Sequence, residues 1–346
     1  MATILCTLYN SLYLDKGLVL YDSLKKVSKD FILYVLCMDD KCYEVLSDIG
    51  NVNLIPIKLS DFEDEDMLKA KSNRTIAEYC WTCTSALIKY IFATFKHNIC
   101  TYIDADMYFY NDPQILINEM LGNGKSVMMI PHRFPPQQVS LALKVGTYCV
   151  EFNVFKNNAD GNKVLEHWHK KCLECCSNIG DGIHWGDQKY MDEWPTLFPD
   201  YVHVCEHPGA GIAPWNIELY NNYDGEQQTV YYKQDKTRCD IVFYHFQSVA
   251  YVNRRKINTS INAQNKDIDF VFVNRLYYNY LTEIDCKKTL LKDKYNIDLM
   301  ITHHPSTKTS VASDIKRKIK NSDLFNFLVR KIKPNKEYVN YAISLK

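Results

Sequence analysis

The sequence has no net charge, no apolar run that could cross a membrane and no segment with the pattern of a secretory signal. Lys and Arg together number 41, as do Asp and Glu, and this balance argues against the broad basic surface of a nucleic-acid-binding protein. No stretch approaches the roughly 18 consecutive apolar residues of a transmembrane helix. Residues 1–7 lack the basic segment and cleavage site of a secretory signal and have the pattern of a first β-strand. We therefore expect a cytoplasmic protein that binds no nucleic acid, with any membrane contact peripheral.

A disulfide framework, internal repeats and a Gly-rich phosphate loop are also missing. The 13 cysteines are odd in number and scattered, which indicates a reducing compartment. No Gly-rich loop lies between Thr7 and Gly17, which counts against the nucleotide-binding enzymes that use one. The composition that is present, 47% hydrophobic and 24% charged over 346 residues, is ordinary for a globular protein.

Strand-like and helix-like segments alternate through the first 130 residues. This alternation predicts an α/β fold whose mainly parallel sheet is flanked by helices. The predicted strands cover residues 3–8, 31–37, 52–57, the segment that ends in Asp104 and Asp106, 126–130 and, later, 240–246; the predicted helices cover 14–27, 42–49, 75–95 (capped by Asn73 or Thr75) and 114–121. Because ligands of such sheets bind beyond the carboxyl ends of the strands, residues 7–10 and the two aspartates are expected at one crevice.

The most informative segment is the one that contains Asp104, Ala105 and Asp106, between an apolar run and an aromatic run that stops at Asp112-Pro113. In a strand, residues two apart point to the same side, so the two carboxylates would lie together while Ala105 faces away. Carboxylates this close repel each other unless a cation lies between them. Oxygen ligands select a hard cation such as Mg²⁺ or Mn²⁺, which keeps positions open for phosphates. A simple turn capped by Asp side chains is the alternative.

Further motifs follow in a fixed order along the chain. They are Cys6-Thr7-Leu8-Tyr9 with Tyr13 and Gly17, Asp104-Ala105-Asp106, Phe152-Asn153-Val154, Gly186-Asp187-Gln188, Ala213-Pro214-Trp215-Asn216 and Tyr244-His245-Phe246. Over roughly residues 3 to 250, this series resembles GT-A glycosyltransferases of the glycogenin-like, family-eight type, and more closely a bacterial branch associated with cell-surface polysaccharide enzymes. The chain departs from that family at Phe155, where the family's Asn-x-Gly segment has glycine.

The resemblance implies a GT-A nucleotide-diphospho-sugar transferase fold and a glycosyltransferase activity. The donor would be a nucleotide-diphosphate sugar, commonly a UDP-sugar, and the acceptor a surface polysaccharide or lipid-linked glycan, with the anomeric configuration retained. The cofactor would be Mn²⁺ or Mg²⁺, because a divalent ion stabilises the charge that develops on a leaving diphosphate. A non-catalytic nucleotide- or glycan-binding scaffold and a sugar nucleotidyltransferase are the alternatives.

The resemblance also assigns roles to individual residues. Asp104, Asp106 and His245 would hold the metal, although the spacing from His207 to Pro214 and Trp215 makes His207 a rival for the third position. Asp187 and Gln188 would act beside the anomeric carbon, unless Asp187 is a helix N-cap. The predicted donor-binding residues are Thr7, Tyr9, Tyr13, Arg74, Asp104, Asn153 and Trp215; among them the tyrosines could stack on uracil or pack the first helix, and Arg74 could pair with the diphosphate or remain solvated.

Past about residue 260 the composition turns to helix formers and charge. We therefore predict a GT-A catalytic domain over residues 1–260 and a helical, basic extension over residues 261–346. From Asp314 to Lys346 there are nine Lys or Arg residues and three Asp or Glu residues, a local charge of +6 (9 − 3). Apolar residues interleaved with such charge are typical of a helix on an anionic membrane surface. A solvated helix packed on the catalytic domain is the alternative.

Overall fold

The computed structural model describes residues 2–177, 183–223, 228–253, 256–262, 267–299 and 340–344. Its helices are α1 (Leu14–Val27), α2 (Asp40–Ile49), α3 (Leu59–Phe62), α4 (Glu65–Lys71), α5 (Ile76–Phe95), α6 (Gln114–Gly122), α7 (Leu141–Val145), α8 (Ala159–Glu174), α9 (Trp194–Leu197) and α10 (Phe270–Tyr295). Short 3₁₀ segments cover Ser11–Tyr13, Pro136–Gln138, Lys189–Glu193 and Ile217–Leu219.

A seven-stranded sheet forms the centre of the described part of the chain. In spatial order its strands are β3 (Leu54–Lys58), β2 (Phe31–Cys37), β1 (Thr3–Tyr9), β4 (Ile99–Ile103), β7 (Tyr148–Lys156), β6 (Val127–Pro131) and β8 (Val202–Val204). Neighbouring strands are parallel except at β7, which runs antiparallel to both β4 and β6. The predicted α/β class, with a mainly parallel sheet flanked by helices, is confirmed.

Apolar side chains on both faces of the strands explain why helices cover both sides of this sheet. One core packs the sheet against α1, α2 and α6, and a second packs the opposite face against α5 and α8. Strands buried on two sides have continuous apolar runs, as β2 shows with FILYVLC.

Two predicted boundaries need comment. The strand predicted over residues 52–57 begins at Leu54, because Gly50 ends α2 in the left-handed region (φ 63°) and a turn follows; Val52 is 92% exposed. At α5, the structure selects Thr75 as the cap, through a reciprocal capping box with Glu78.

The strand predicted to contain both aspartates is interrupted. Strand β4 ends at Ile103, and Asp104 to Asp106 form a turn before β5 (Met107–Phe109). The carboxylates are therefore brought together by this turn, and the expected alternation along one strand does not place them. Ala105 faces the core and is 7% exposed.

Smaller sheets lie beside the central one. Strand β5 pairs with β12 (Phe243–His245), a second group contains β9 (Tyr220–Asn222), β10 (Thr229–Tyr232) and β11 (Thr237–Asp240), and a third contains β13 (Ala250–Asn253), β14 (Lys256–Asn262) and β15 (Asn340–Ser344). Helix α10 lies within the part of the chain predicted to be helical, whereas residues 340–344 form a strand.

Helix α10 supports the strand that carries His245. The ring of Tyr280 stacks on Phe246 with centroids 3.8 Å apart, and the Tyr277 hydroxyl lies 3.2 Å from that of Tyr244. The division of the chain near residue 260 remains a prediction, and most of the basic segment from residue 314 lies outside the described residues. Among the helices that the structure describes, none combines the length and apolarity needed to cross a membrane.

Candidate active site and metal centre

Two carboxylates and an imidazole converge at the end of β4. The Nε2 atom of His245 lies 3.1 Å from Oδ1 of Asp106 and 3.8 Å from Oδ2 of Asp104. One ligand atom from each of the three residues lies within 4.8 Å of the others. The Asp104 side chain is 29% exposed and that of His245 is 5% exposed, so the group opens to solvent on the carboxylate side.

Strand pairing explains how His245 reaches aspartates so far away in the chain. Strands β5 and β12 are antiparallel, with His245 opposite Met107. The backbone N–H of Phe246 donates to the carbonyl of Asp106 at 2.9 Å, and the N–H of His245 donates to the carbonyl of Ile212. A one-residue slip in this register would turn the imidazole away from the carboxylates.

His207, the rival for the third position, lies elsewhere. Its backbone N–H donates to the carboxylate of Glu119 at 3.2 Å, and its Nδ1 accepts from the N–H of Gly209 at 3.1 Å. The structure therefore groups His245, and not His207, with Asp104 and Asp106.

Glu151 lies behind His245 on β7. Its carboxylate accepts a 2.6 Å hydrogen bond from Nδ1 of the imidazole, and its backbone carbonyl accepts from the N–H of Asp104 at 3.1 Å. The side chain is fully buried, and its second oxygen, Oε1, has no hydrogen-bond partner among the described residues.

The charges of this group are strongly coupled. Burial, together with the charge of Asp106 and opposed by His245, raises the pKa of Asp104 to about 6. At Asp106 burial alone would raise the pKa of the carboxyl. The charge of His245 and its hydrogen bond outweigh burial, so the pKa of Asp106 is lowered. At His245 burial is likewise outweighed, chiefly by Asp106, so the pKa of the imidazole is raised well above its usual value. A positive charge is therefore favoured between these carboxylates, as a divalent cation would require.

Asp187 lies next to this group, in the loop before the 3₁₀ segment Lys189–Glu193. It is 5% exposed. Burial, opposed by a hydrogen bond with Thr84 and assisted by the charge of Asp104, raises the pKa of its carboxyl to about 7. The alternative interpretation of Asp187 as a helix N-cap is wrong, because Gln188 occupies the N-cap position and no side chain caps the segment.

Gln188 is hydrogen-bonded to the end of α7. Its side-chain amide donates to the carbonyl of Val145 at 2.6 Å. The preceding Gly186 has φ 57°, and a Cβ there would lie 3.2 Å from the ring of Trp81. The residues on both sides of Asp187 are therefore fixed by contacts, Gly186 against Trp81 and Gln188 with Val145.

Trp215 closes another side of the site. Its ring meets that of His245 edge to face, with centroids 5.5 Å apart at 86°, and its Nε1 donates to the carbonyl of His132 at 2.9 Å. Burial lowers the pKa of His132 to about 4, so this second imidazole is neutral where His245 is charged.

The residues after β1 divide into a buried and an open set. Tyr9 is 3% exposed, and its ring packs so closely on Gly17 that a Cβ there would lie 2.3 Å away. Thr7 is fully buried, and its hydroxyl has no partner among the described residues. Tyr13, in contrast, is 39% exposed, and burial of its hydroxyl with the charges of Asp106, Asp15 and Asp104 raises its pKa. Tyr13 therefore lies at the site, whereas the ring of Tyr9 belongs to the core.

Lys16 was not predicted from the sequence, although its positive charge acts on Asp106. It is 9% exposed, its Nζ lies 4.2 Å above the ring of Tyr13, and its charge helps to lower the pKa of Asp106. Its contact with Asp15 is long, at 3.7 Å.

The remaining predicted donor residues are Arg74 and Asn153. The guanidinium of Arg74 donates to the hydroxyl of Thr82 and to the carbonyl of Leu173, so it ties α5 to the end of α8 and is not brought to the aspartates. Asn153 is opposite Tyr102 in the β4–β7 ladder. Its amide donates to the carbonyl of Val150 at 3.2 Å, and its Oδ1 has no partner among the described residues.

Sequence reasoning missed Glu151, Lys16, Thr84 and His132. A signal existed for Glu151, because it stands two residues before Asn153 in an apolar run, and residues two apart on a strand share a face. Lys16 and Thr84 lie within helical patterns that offer no comparable signal.

Comparison with known proteins gives two relatives of substantial length. The chain is 31% identical to the uncharacterized protein YfnD of Bacillus subtilis over 255 residues, which is 73% of this chain and 79% of that protein. It is 29% identical to the uncharacterized protein YfnF of Bacillus subtilis over 310 residues, 86% of this chain and 97% of that protein. No family model matches the sequence.

Solved structures show partial similarity. Mouse xyloside xylosyltransferase 1 in its apo form gives a TM-score of 0.47 at 12% identity, covering 72% of this chain and 98% of that one. The galactosyltransferase LgtC in complex with donor and acceptor sugar analogs gives 0.48 at 13% identity, covering 71% and 87%. Scores this low do not establish a common fold.

Proposed function

The chain belongs to the same family as YfnD of Bacillus subtilis, and we propose that it is a metal-dependent GT-A glycosyltransferase that moves a sugar from a nucleotide-diphosphate donor to a glycan acceptor. One observation carries the proposal. Asp104 and Asp106, together with His245 from a distant part of the chain, present their ligand atoms within 4.8 Å of one another at a solvent-facing edge. Six motifs that resemble the glycosyltransferase family, in the family's order, give this arrangement its chemical meaning.

The donor set fits a hard divalent ion. Two carboxylates and one imidazole suit Mn²⁺ or Mg²⁺ with positions left open for phosphate oxygens. A structural ion pair alone would not need Glu151 to hold the far side of the imidazole. When bound, the ion would act as a Lewis acid that stabilises negative charge on the departing diphosphate.

The chain's own residues would bind and orient the donor around this centre. Tyr13 offers a partly exposed aromatic ring for the base, and Lys16 offers a positive charge beside Asp106 for the diphosphate. Asp187 and Asn153 offer polar atoms for the sugar hydroxyls. Because the pKa of Asp187 is about 7, its carboxyl is about half ionised at neutral pH and can donate as well as accept hydrogen bonds.

Finer features of the proposal rest on the resemblance. We take the donor to be a UDP-sugar, the acceptor a surface polysaccharide or lipid-linked glycan, and the configuration at the anomeric carbon to be retained. The reaction would occur on the cytoplasmic side of the membrane, with the basic tail as a peripheral anchor on anionic lipid.

A donor panel tests the function. Release of nucleoside diphosphate is followed across UDP-, GDP- and CDP-sugars with Mn²⁺ and with EDTA, for the wild type, for Asp106→Ala and for the exposed control Asp200→Ala. We expect one donor to be turned over in a reaction that needs metal, survives in the control and is lost in Asp106→Ala. A folded wild type that neither binds nor cleaves any donor would refute the proposal in favour of a non-catalytic scaffold.

A further inference from the structure

We infer that Glu151 is a positioning residue for the metal centre: its carboxylate holds His245 so that Nε2 is directed at Asp104 and Asp106. The inference rests on the proposed function for the presence of a metal, and it assigns a role to a residue that neither the motifs nor the relatives single out. The hydrogen bond between Glu151 and Nδ1 orients the imidazole of His245 as a ligand.

The two ring nitrogens of His245 face different partners. Nδ1 lies 2.6 Å from Oε2 of Glu151, and Nε2 lies 3.1 Å from Oδ1 of Asp106. An ionised carboxylate only accepts hydrogen bonds, so Nδ1 must carry a hydrogen. The lone pair available to a metal is then the one on Nε2, once its proton is displaced. Such carboxylate–histidine pairs orient metal ligands and raise their basicity.

One strand fixes both halves of the centre. The backbone of Glu151 on β7 accepts the N–H of Asp104 at 3.1 Å, while its side chain holds the imidazole. The neighbouring Phe152 is fully buried, and β7 is paired with β4 on one side and β6 on the other. Glu151 therefore contacts both the histidine and the aspartate turn from one strand of the central sheet.

The burial of Glu151 is not explained by packing. Its side chain is 0% exposed, and Oε1 has no hydrogen-bond partner among the described residues. The loop passes so close that a Cβ at Gly211, where φ is 74°, would lie 2.9 Å from that oxygen. A buried carboxylate with one unpaired oxygen costs free energy, and the hydrogen bond from Nδ1 of His245 is the only one that this carboxylate accepts among the described residues.

A rival use of the same atoms is a metal on the other side of the ring. Cys149, Glu151 and His245 also place one ligand atom each within 4.8 Å of the others. All three are buried, and the short hydrogen bond from Nδ1 to Glu151 already occupies that nitrogen. Cys149 contacts the same ring without a carboxylate, so Cys149→Ser is a matched control.

The test is Mn²⁺ binding by the full-length protein, followed by the electron paramagnetic resonance signal of free Mn²⁺ without donor. Glu151→Gln keeps the shape and an acceptor oxygen but removes the charge. We expect its Mn²⁺ affinity to fall by about 10- to 100-fold, while that of Cys149→Ser stays at the wild-type level. A role confined to stability would lower the unfolding midpoint of Glu151→Gln and leave its metal affinity unchanged.

The outcomes separate this inference from the function on which it rests. Equal Mn²⁺ affinity of wild type and Glu151→Gln overturns the role of Glu151 and leaves the proposed enzyme intact. Loss of binding in Cys149→Ser but not in Glu151→Gln overturns it in favour of the rival site. A wild type that binds no Mn²⁺ overturns both. If Glu151→Gln does not fold, Glu151→Asp, which keeps the charge and withdraws it by one methylene, is expected to bind Mn²⁺ more weakly, and unchanged affinity there overturns the inference.

Discussion

Replacing Asp187 with Asn is expected to stabilise the metal-free protein at neutral and alkaline pH while it impairs donor turnover. The carboxyl is 5% exposed and lies near the charge of Asp104, which together with burial raises its pKa to about 7. An amide of the same shape removes the ionisation and can still accept the hydrogen bond of Thr84. Active sites commonly trade stability for function in this way.

The magnitude follows from the pKa. Relative to an ordinary value of 3.8, the shift is about three units, and at about 1.4 kcal/mol per unit it corresponds to ~4 kcal/mol as an upper bound. In the unfolded chain Asp187 loses its proton near pH 4, whereas in the folded protein it keeps it until about pH 7. Between these values the folded state binds more protons, so the free energy of unfolding of the wild type falls as pH rises. The advantage of Asp187→Asn should therefore be near zero below about pH 4 and reach ~2–4 kcal/mol by about pH 8.

The assay is urea unfolding of wild type, Asp187→Asn and the exposed control Asp200→Asn in EDTA, across that pH range. The control makes the same chemical change on the surface, and we expect its effect to stay within about 0.5 kcal/mol. A stability difference for Asp187→Asn that does not depend on pH, or that favours the wild type at high pH, would refute the inference that folding disfavours the ionised form of Asp187.

Five further substitutions test the site and the packing beside it. His245→Ala should abolish Mn²⁺ binding and His207→Ala should preserve it, as measured by free Mn²⁺ resonance; the reverse result would move the ligand to His207. Gly17→Ala should lower the free energy of unfolding by ~1–3 kcal/mol, because its Cβ would meet the Tyr9 ring; a neutral effect in urea titration would contradict that packing. Tyr9→Phe should cost under ~1 kcal/mol in the same titration, since its hydroxyl has no partner among the described residues. Lys16→Met should weaken UDP binding about tenfold in calorimetry without lowering Mn²⁺ affinity, since Lys16 would contact phosphate and not the ion; unchanged UDP affinity would exclude that role.

Local patterns predicted some of this architecture well. Helix α1 has the predicted bounds of residues 14–27, and β2 has those of residues 31–37. The helix has a regular apolar face and the strand is a continuous apolar run, and both patterns are clear in the sequence. The strand was expected to end in the two aspartates and to restart in the aromatic run; it does restart there, but it ends at Ile103, before Asp104. A turn between β4 and β5 produces the same convergence that strand alternation would have given.

Side-chain roles were harder to predict where a residue type fits two environments. Tyr9 and Tyr13 both follow the same strand, yet Gly17 lets one ring enter the core while the other stays at the edge of the site. Arg74 could have faced a diphosphate, but its guanidinium is committed to Thr82 and Leu173. Such choices depend on which neighbours the fold brings into contact, and a single sequence does not show them.

Local periodicity and residue chemistry were enough to predict the α/β class, the order of the motifs and the two carboxylates. The packing of the sheets selected which histidine joins Asp104 and Asp106, since that depends on the β5–β12 register across a separation of 139 residues. It also decided that Glu151 stands behind His245, where β7 runs antiparallel beside β4. The chemistry of each residue is local, whereas the positions of these residues relative to one another are properties of the packed sheet.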